Sequence, residues 1–267
     1  MSIQKHRAAI DKLDAQIVKL LNRRTQHVLG IGKDKLAAGK STYQPDREQV
    51  LLRRIRKLNN GPISNESLGH IYREIMSSSI ALQKTFTIAF LGPEATYTHQ
   101  AAVRRFGTSL GYAPQKTIAE VFAEVEKNRA EYGVVPVENT TEGVVTHTLD
   151  MFVDSPLKIV AQIIMPIEHC LIGRGALKDV KKLYSHPQAY AQCRNWVRET
   201  MPRVEFIGSS STTAAAALAA KSKTAAAISS SLAAEKYKLN IIEAGVQDHS
   251  GNATRFLVLG NECAAPT

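Results

Sequence analysis

From Ile3 to about Ala38 the chain holds no proline, and apolar side chains recur at Ile3, Ile10, Ile17, Leu21, Val28 and Ile31. Steps of three and four continue through the gaps as Arg7, Asp14, Arg24 and Lys35. This spacing predicts one long helix whose coiled-coil-like stripe is interrupted by charge. Gly30 and Gly32 weaken it locally, each by about 1 kcal/mol relative to alanine. A second helix is expected from Pro45 and Asp46 to about Leu58, where Asn59-Asn60-Gly61-Pro62 stops it. A third begins near Asn65 to Ser67 and continues through Ile71, Ile75 and Leu82. At Thr85 the period changes, and TFTIAFLG reads as a short buried strand ending at Gly92-Pro93. Further strand candidates are 132–137, 158–165, 181–186, 203–208, 225–229 and 254–260, with helical stretches near 97–106, 117–129, 188–200, 212–221 and 230–237. Such alternation argues a mostly parallel sheet in two lobes. The Ala/Ser-rich stretch 209–234 keeps helical periodicity and does not read as a linker. The expected organisation is an all-α domain over 1–84 and an α/β domain over 85–267. Within the latter, lobe 1 covers about 85–165 plus 247–267 and lobe 2 about 166–246.

Composition narrows the setting. With 267 residues, 44% hydrophobic and 22% charged, the chain reads as globular and can bury a sizeable core. Its longest apolar run, Ala214 to Ala220, falls far short of the roughly 20 residues of a membrane helix, so no membrane partner is expected. The start MSIQKHRAAIDKLD lacks an apolar signal core. Cys170, Cys193 and Cys263 form no CxxC pair and leave one over in any disulfide scheme. Both features fit a cytoplasmic location. The net charge of +10 is uneven: residues 1–84 hold 16 Lys/Arg against 7 Asp/Glu, and the remainder 18 against 17. Basic character confined to the first third fits either a nucleic-acid patch or a site for a small anion.

Spacing bears on that choice. Arg24 and Lys35 stand three helical turns apart on one face, about 16 Å along the axis, so long side chains bending together can bracket one small anion. Arg7 lies about 25 Å from Arg24 on a straight helix, beyond reach of the same ligand unless an antiparallel second subunit returns it. The spacing therefore predicts a homodimer as the minimum, with a site shared between chains, and leaves a tetramer open. The set Arg7, Asp14, Arg24, Lys35, Asp46-Arg47-Glu48, Ser79 and Gln83 closely resembles the all-helical chorismate mutase family. That resemblance implies an intertwined dimer that binds chorismate. By position, Arg7 from the partner chain and Arg24 would grip the two carboxylates. Lys35 and Gln83 would hold the ether oxygen and Glu48 the ring hydroxyl, with Arg47 and Ser79 completing the pocket. Gln44 departs from the pattern, since some relatives carry an acidic residue there.

In the second part, three clusters carry the information: VVPVENTTEGVV (134–145), YSHPQAYAQC (184–193) and GNATRFLVLG (251–260). Polar side chains just past the carboxyl end of a strand sit where ligands bind in open α/β sheets. With GPEATYTHQAA (92–102) and SSSTTAAAA (209–217), these clusters closely resemble the prephenate dehydratase family from about Thr85 to Gly260. The resemblance implies a two-lobed, periplasmic-binding-protein-like α/β fold and, over the whole chain, a bifunctional enzyme of phenylalanine biosynthesis. It makes Thr254 the central catalytic residue, with Asn139, Ser185 and Gln192 as neighbouring donors. It places Arg255 and the Ser211-Thr212-Thr213 hydroxyls at the substrate carboxylates, and Glu138, Thr140, Gln188 and Phe256 elsewhere along the substrate site. Ala95 replaces a glycine usual in relatives.

Several other features are read as structural. Cys170 follows an apolar run and reads as core, so His169-Cys170 is not taken as a nucleophilic pair. His147, His186 and His249 lack metal-ligand spacing, and Gly92-Pro93 lacks the further glycines of a phosphate loop, so neither metal nor nucleotide cofactor is expected. The alternative function is a two-lobed small-molecule sensor with a basic helical nucleic-acid-binding segment. Against it, the basic residues lie partly on the apolar stripe and no helix-turn-helix signature is visible, so no nucleic-acid partner is expected. Relatives usually continue into a small phenylalanine-binding regulatory domain. The sequence stops at CAAPT, near where that domain's linker would begin, and this chain is expected to escape phenylalanine inhibition through such a domain.

Overall fold

The computed structural model describes residues 2–37, 45–141, 143–249 and 251–261. Gln44, Cys263 and the CAAPT end lie outside the described residues. Residues up to Phe86, together with Phe106–Gly111, form one compact unit, and Thr87–Arg105 with Tyr112 onward form another.

The first unit is built on α1 (Ile3–Ala37), α2 (Pro45–Leu58) and α3 (Asn65–Ala81). The turn before α3 is fixed by side chains: Asn59 Nδ2 donates to Ile63 O and Asn65 Oδ1, and Ser64 caps α3 by accepting from Ser67 N at 3.0 Å. The two glycines of α1 differ in kind. Nothing lies within 4 Å of a Cβ built on Gly30, whereas one on Gly32 would sit 2.5 Å from Gln83 Oε1. Gly32 is therefore a close approach that admits Gln83, as well as a weak helix former. Much of the stripe that periodicity assigned to burial is bare in the single chain, with Ile3, Ile10 and Ile17 at 72%, 55% and 52% exposure.

The second unit holds two sheets. Lobe 1 has the strand order β2 (Gly111–Gln115), β1 (Thr87–Leu91), β3 (Tyr132–Asn139), β11 (Ala253–Gly260), β5 (Lys158–Pro166), with the short β4 (Gly143–Val144) beside β3. Lobe 2 has the order β10 (Asn240–Ala244), β6 (Cys170–Gly173), β9 (Ala225–Ser229), β7 (Lys182–Ser185), β8 (Glu205–Gly208). The helices α4 (Tyr97–Phe106), α5 (Ile118–Glu126), α6 (Thr146–Asp154), α7 (Pro187–Ala191), α8 (Arg194–Thr200), α9 (Thr212–Ala219) and α10 (Ser231–Tyr237) connect them. The sheets are mixed, where alternation had predicted a mostly parallel arrangement. β1 pairs with β3, and β7 with β8 and β9, in parallel, but β11 is antiparallel to β3 and β5, and β6 to β9 and β10. The chain crosses between lobes twice, after β5 and after β10, and the returning strands reverse the direction. The two crossings pair with each other: Ile167 N donates to Asn252 O at 2.8 Å and Val246 N to His169 O at 2.9 Å.

Each lobe has its own core. Val121, Phe122, Val135 and Leu259 pack one face of the first sheet. In the second, small side chains let α9 approach the strands, with Ala215, Ala216 and Ala219 against Ile172 and Ala227. The loop after β1 reaches lobe 2, where Lys236 Nζ lies 2.6 Å from Glu94 Oε2 and Ser230 Oγ donates to Ala95 O. Ala95 holds φ at +64°, a left-handed conformation that explains why glycine suits the position.

Candidate functional site

The helical unit encloses a cavity of about 320 Å³ lined by Arg24, Lys35, Arg47, Glu48, Ser79 and Gln83 among others. Arg24 and Lys35 come from one face of α1, Arg47 and Glu48 from the first turns of α2, and Ser79 and Gln83 from the end of α3. Arg24 Nη1 donates to Ser79 Oγ at 3.3 Å, Ser79 Oγ donates to Ile75 O at 2.7 Å, and Gln83 Nε2 donates to Ser79 O at 3.2 Å. Glu48 is 8% exposed, and burial lowers the Lys35 ammonium from its ordinary value. Arg73 also lines the cavity, so four cationic side chains face one carboxylate. That balance favours a small anion. Arg73, with the apolar walls Met76, Ile80, Phe106 and Leu110, was not singled out in sequence. Its place one α3 face up from Ile80 and Gln83, at steps of seven and three, was the available signal. Arg7 is exposed on α1 and is absent from the cavity lining.

The second constellation lies where the crossings meet the ends of β3 and β11. Antiparallel register places Thr254 opposite Asn139 and Arg255 opposite Glu138. Asn139 Nδ2 donates to Thr254 Oγ1 at 2.7 Å and to Asn252 Oδ1 at 2.9 Å, while Thr141 N donates to Asn139 Oδ1. Asn252 Nδ2 donates to Gln192 Oε1 at 2.9 Å, and His169 Nε2 lies 2.8 Å from the same oxygen. His169 Nδ1 lies 2.8 Å from the Tyr97 hydroxyl, which also reaches Glu168 O. Thr140 Oγ1 donates to Asn252 Oδ1 at 3.3 Å and accepts from Ala253 N. The helix expected over 188–200 is two helices with a break at Gln192-Cys193. The break lets Asp248, from the second crossing, accept from Asn195 N and Trp196 N, and Asp248 N bond to Gln192 O. Gln192 is fixed there by backbone as well as side chain.

The other residues singled out in sequence sit apart from that row. Ser185 is fully buried, with its hydroxyl on Ile228 O at 3.3 Å rather than on the Thr254 group. Gln188 is exposed in the first turn of α7. Ser211 caps α9 through Ala214 N, Thr212 follows it half-buried, and Thr213 is 2% exposed with its hydroxyl unpartnered. Arg255 lies 3.5 Å from Glu138, both about half exposed. Phe256 is 1% exposed and belongs to the core. Sequence reasoning missed Asn252, Tyr97 and His169. Asn252 stands two residues before Thr254 within GNATRFLVLG, and His169 draws notice in sequence only as a neighbour of Cys170. Cys170 is buried, and burial raises its thiol above the ordinary range. Among the described residues, no group of three or more His, Cys, Asp or Glu could hold a metal, and no helix is long and apolar enough to cross a membrane.

A helical unit with a cationic cavity, joined to a two-lobed α/β unit with a polar row at its crossings, offers two candidate small-molecule sites. The comparisons with known proteins divide the chain in the same way. Residues 6–84 match the family chorismate mutase type II, and residues 88–264 match the family prephenate dehydratase. A bifunctional chorismate mutase/prephenate dehydratase of Aquifex aeolicus is 44% identical over 98% of this chain and 74% of its own length. A prephenate dehydratase from Arthrobacter aurescens, solved in complex with L-Phe, superposes with a TM-score of 0.62 at 32% identity, over 68% of this chain and 62% of that one. A structure described as a quorum-quenching acylase gives 0.60 at 30% identity, over 68% and 66%. The chain belongs to the bifunctional chorismate mutase/prephenate dehydratase family.

Proposed function

We propose that the helical cavity converts chorismate to prephenate and that the row around Thr254 converts prephenate to phenylpyruvate, carbon dioxide and water. The observation that carries the reading is the convergence of Arg24, Lys35, Arg47, Glu48, Ser79 and Gln83 on one cavity, separate from the Asn139–Thr254 pair. The acylase likeness covers only 68% of the chain and leaves the helical cavity without a role. A sensor would not require both families of site.

The first reaction is a unimolecular rearrangement in which one ether C–O bond breaks as one C–C bond forms. It needs neither nucleophile nor proton shuttle. The cavity must hold the compact conformer and stabilise charge building on the ether oxygen. Arg24, with Arg7 supplied by a second subunit, takes the carboxylates through guanidinium forks. Lys35 and Gln83 face the ether oxygen, and Gly32 leaves room for Gln83 to do so. Arg47 and Ser79 complete the cavity, and Glu48 takes the ring hydroxyl. The exposed stripe of Ile3, Ile10 and Ile17 supports a dimer, because a second helix laid antiparallel on it would cover apolar surface and bring Arg7 to the cavity.

The second reaction expels a ring hydroxyl and a ring carboxylate together. The electron pair of the C–COO bond enters the ring, that of the C–OH bond leaves with hydroxide, and a donor converts the hydroxide to water. Thr254 is that donor. Its Oγ1 accepts from Asn139 Nδ2, which leaves its own proton for the substrate and polarises the O–H bond. Arg255 and the first turn of α9, with Ser211 to Thr213, take carboxylates. Glu138, Thr140 and Gln188 line the approach. No cofactor takes part, and the reading places the enzyme in the cytoplasm. Purified protein should yield phenylpyruvate, read by enolate absorbance in alkali, from chorismate and separately from prephenate. A folded protein that turns over neither substrate contradicts the reading.

A further inference from the structure

We propose that His169 is a positioning residue for Thr254, acting through Gln192 and Asn252, with Tyr97 against the other imidazole nitrogen. The inference rests on the dehydratase reading of the row around Thr254.

Counting hydrogens along the row fixes its direction. Gln192 Oε1 already accepts from Asn252 Nδ2 at 2.9 Å and lies 2.8 Å from His169 Nε2. An amide oxygen only accepts, so Nε2 carries the imidazole proton. The Nδ1 atom of the neutral ring is then an acceptor, 2.8 Å from the Tyr97 hydroxyl, whose single hydrogen is shared with Glu168 O. His169 is 3% exposed, and burial lowers its proton affinity, while burial raises that of the Tyr97 phenol, so the ring stays neutral and the phenol protonated. The remaining bonds follow in one direction. Asn252 gives Nδ2 to Gln192 and presents Oδ1 to Asn139 and Thr140. Asn139 gives one hydrogen to Asn252 and the other to Thr254, with its own oxygen held by Thr141 N. Reversing Gln192 would point its amino group at the Asn252 amino group and at the His169 N–H. Thr141 N, a backbone donor that cannot reverse, fixes Asn139 at one end of the row, and His169 Nε2–H is the donor that holds Gln192 Oε1 at the other. Asn139 Nδ2 in turn makes Thr254 Oγ1 an acceptor within the row. The groups in contact with His169 are Tyr97 from α4, at Nδ1 and edge-on to the ring, Gln192 at the α7–α8 break, and Gln247, whose Oε1 accepts from His169 N.

Three variants test this: His169→Leu removes the donor, His169→Gln keeps an N–H at similar reach, and Tyr97→Phe removes only the hydroxyl. Misplacing a reacting group costs about 10- to 100-fold, so His169→Leu should lower kcat for prephenate by about that factor. KM should change by less than about twofold, because no substrate contact is lost. His169→Gln should recover most of the loss, Tyr97→Phe should lower kcat by less than His169→Leu, and chorismate turnover should stay at the wild-type rate in all three. A residue that only packs would lower the unfolding midpoint and leave kcat per folded molecule unchanged, which overturns the proposal. His169→Gln no better than His169→Leu, or a rise in KM at constant kcat, overturns it as well. Should His169→Leu not fold, His169→Phe, which keeps a flat ring and removes the donor, takes its place, and an unchanged kcat there overturns the proposal. Wild-type turnover of prephenate, measured alongside, separates the two failures. Its absence overturns the dehydratase reading itself, while its presence with unaffected variants overturns only the role of His169.

Discussion

Replacing Thr254 by valine keeps the branched shape of the side chain and removes one hydroxyl. Thr254 is 9% exposed and its Oγ1 accepts from Asn139 Nδ2 at 2.7 Å, so a methyl group would face that amide hydrogen. Losing a neutral hydrogen bond costs about 1 kcal/mol, rising to about 3 kcal/mol if the donor finds no other partner. The hydrogen given to Asn252 is a different one, so the cost lies between these two figures. For a unit of this size each kcal/mol lowers the unfolding midpoint by about 2–4 °C, so the variant should remain folded at assay temperature. Catalysis should suffer far more. A positioned acid contributes about 100- to 10,000-fold, or about 3–5 kcal/mol of barrier. Phenylpyruvate formation from added prephenate should therefore fall by at least about 100-fold, while chorismate loss in the same sample, followed by ultraviolet absorbance, stays at the wild-type rate. Thr254→Ser, which keeps a hydroxyl, should retain much of the activity. A folded valine variant within about threefold of wild type on prephenate would refute the assignment, since no acid worth its place costs so little.

Arg24→Ala should do the reverse. Losing two charge-assisted bonds costs about 3 kcal/mol or more, so chorismate turnover should drop by at least about 100-fold with prephenate turnover intact, and comparable loss of both would contradict the two-site assignment. If Arg7 is supplied across a dimer, Arg7→Ala and Arg24→Ala are each inactive on chorismate, yet a one-to-one mixture allowed to exchange subunits recovers about a quarter of wild-type activity, because half the dimers hold one intact site. No recovery despite demonstrated exchange would count against a shared site. Stability should respond to pH through His169 and His99, whose proton affinities burial lowers below the ordinary value of 6.5. Above that value both states are neutral there. As pH falls through it the unfolded chain binds protons that the folded one refuses, so the unfolding midpoint should fall, by at most about 1.4 kcal/mol per pH unit for each histidine. A midpoint unchanged or rising between about pH 7 and pH 5 would contradict that sign.

The helical unit was legible because heptad spacing and charge share one helix: Arg24 and Lys35 face the cavity for the same reason that Val28 and Ile31 do. Gly32 reads in sequence only as a weak point, since its reason is a contact with Gln83 some 50 residues away, which no local pattern carries. In the α/β unit most strands announced themselves, but β2, β4, β6, β10 and α6 did not. β6 has four residues, all buried, too short to show a period, and β2 contains a proline. Strand direction is not legible from alternation alone: helices between strands argue parallel neighbours, whereas β11 returns from the second lobe antiparallel to both of its partners. Asn139 and Thr254 stand out from motifs, and the register that pairs them is a property of the sheet. Asn252, Gln192, His169 and Tyr97 join across 155 residues of chain through the two crossings, so only the folded arrangement reveals that they form one row.

The central claim is that one chain carries two sites acting in sequence, each independent of the other's residues. It is tested most directly by feeding chorismate to folded Arg24→Ala, to folded Thr254→Val, and to a mixture of the two, while following phenylpyruvate. Each variant alone should form almost none. The mixture should form it after a lag, as prephenate made by Thr254→Val accumulates and reaches the intact cleft of Arg24→Ala. A mixture as inactive as its components, with both variants folded, would contradict the account.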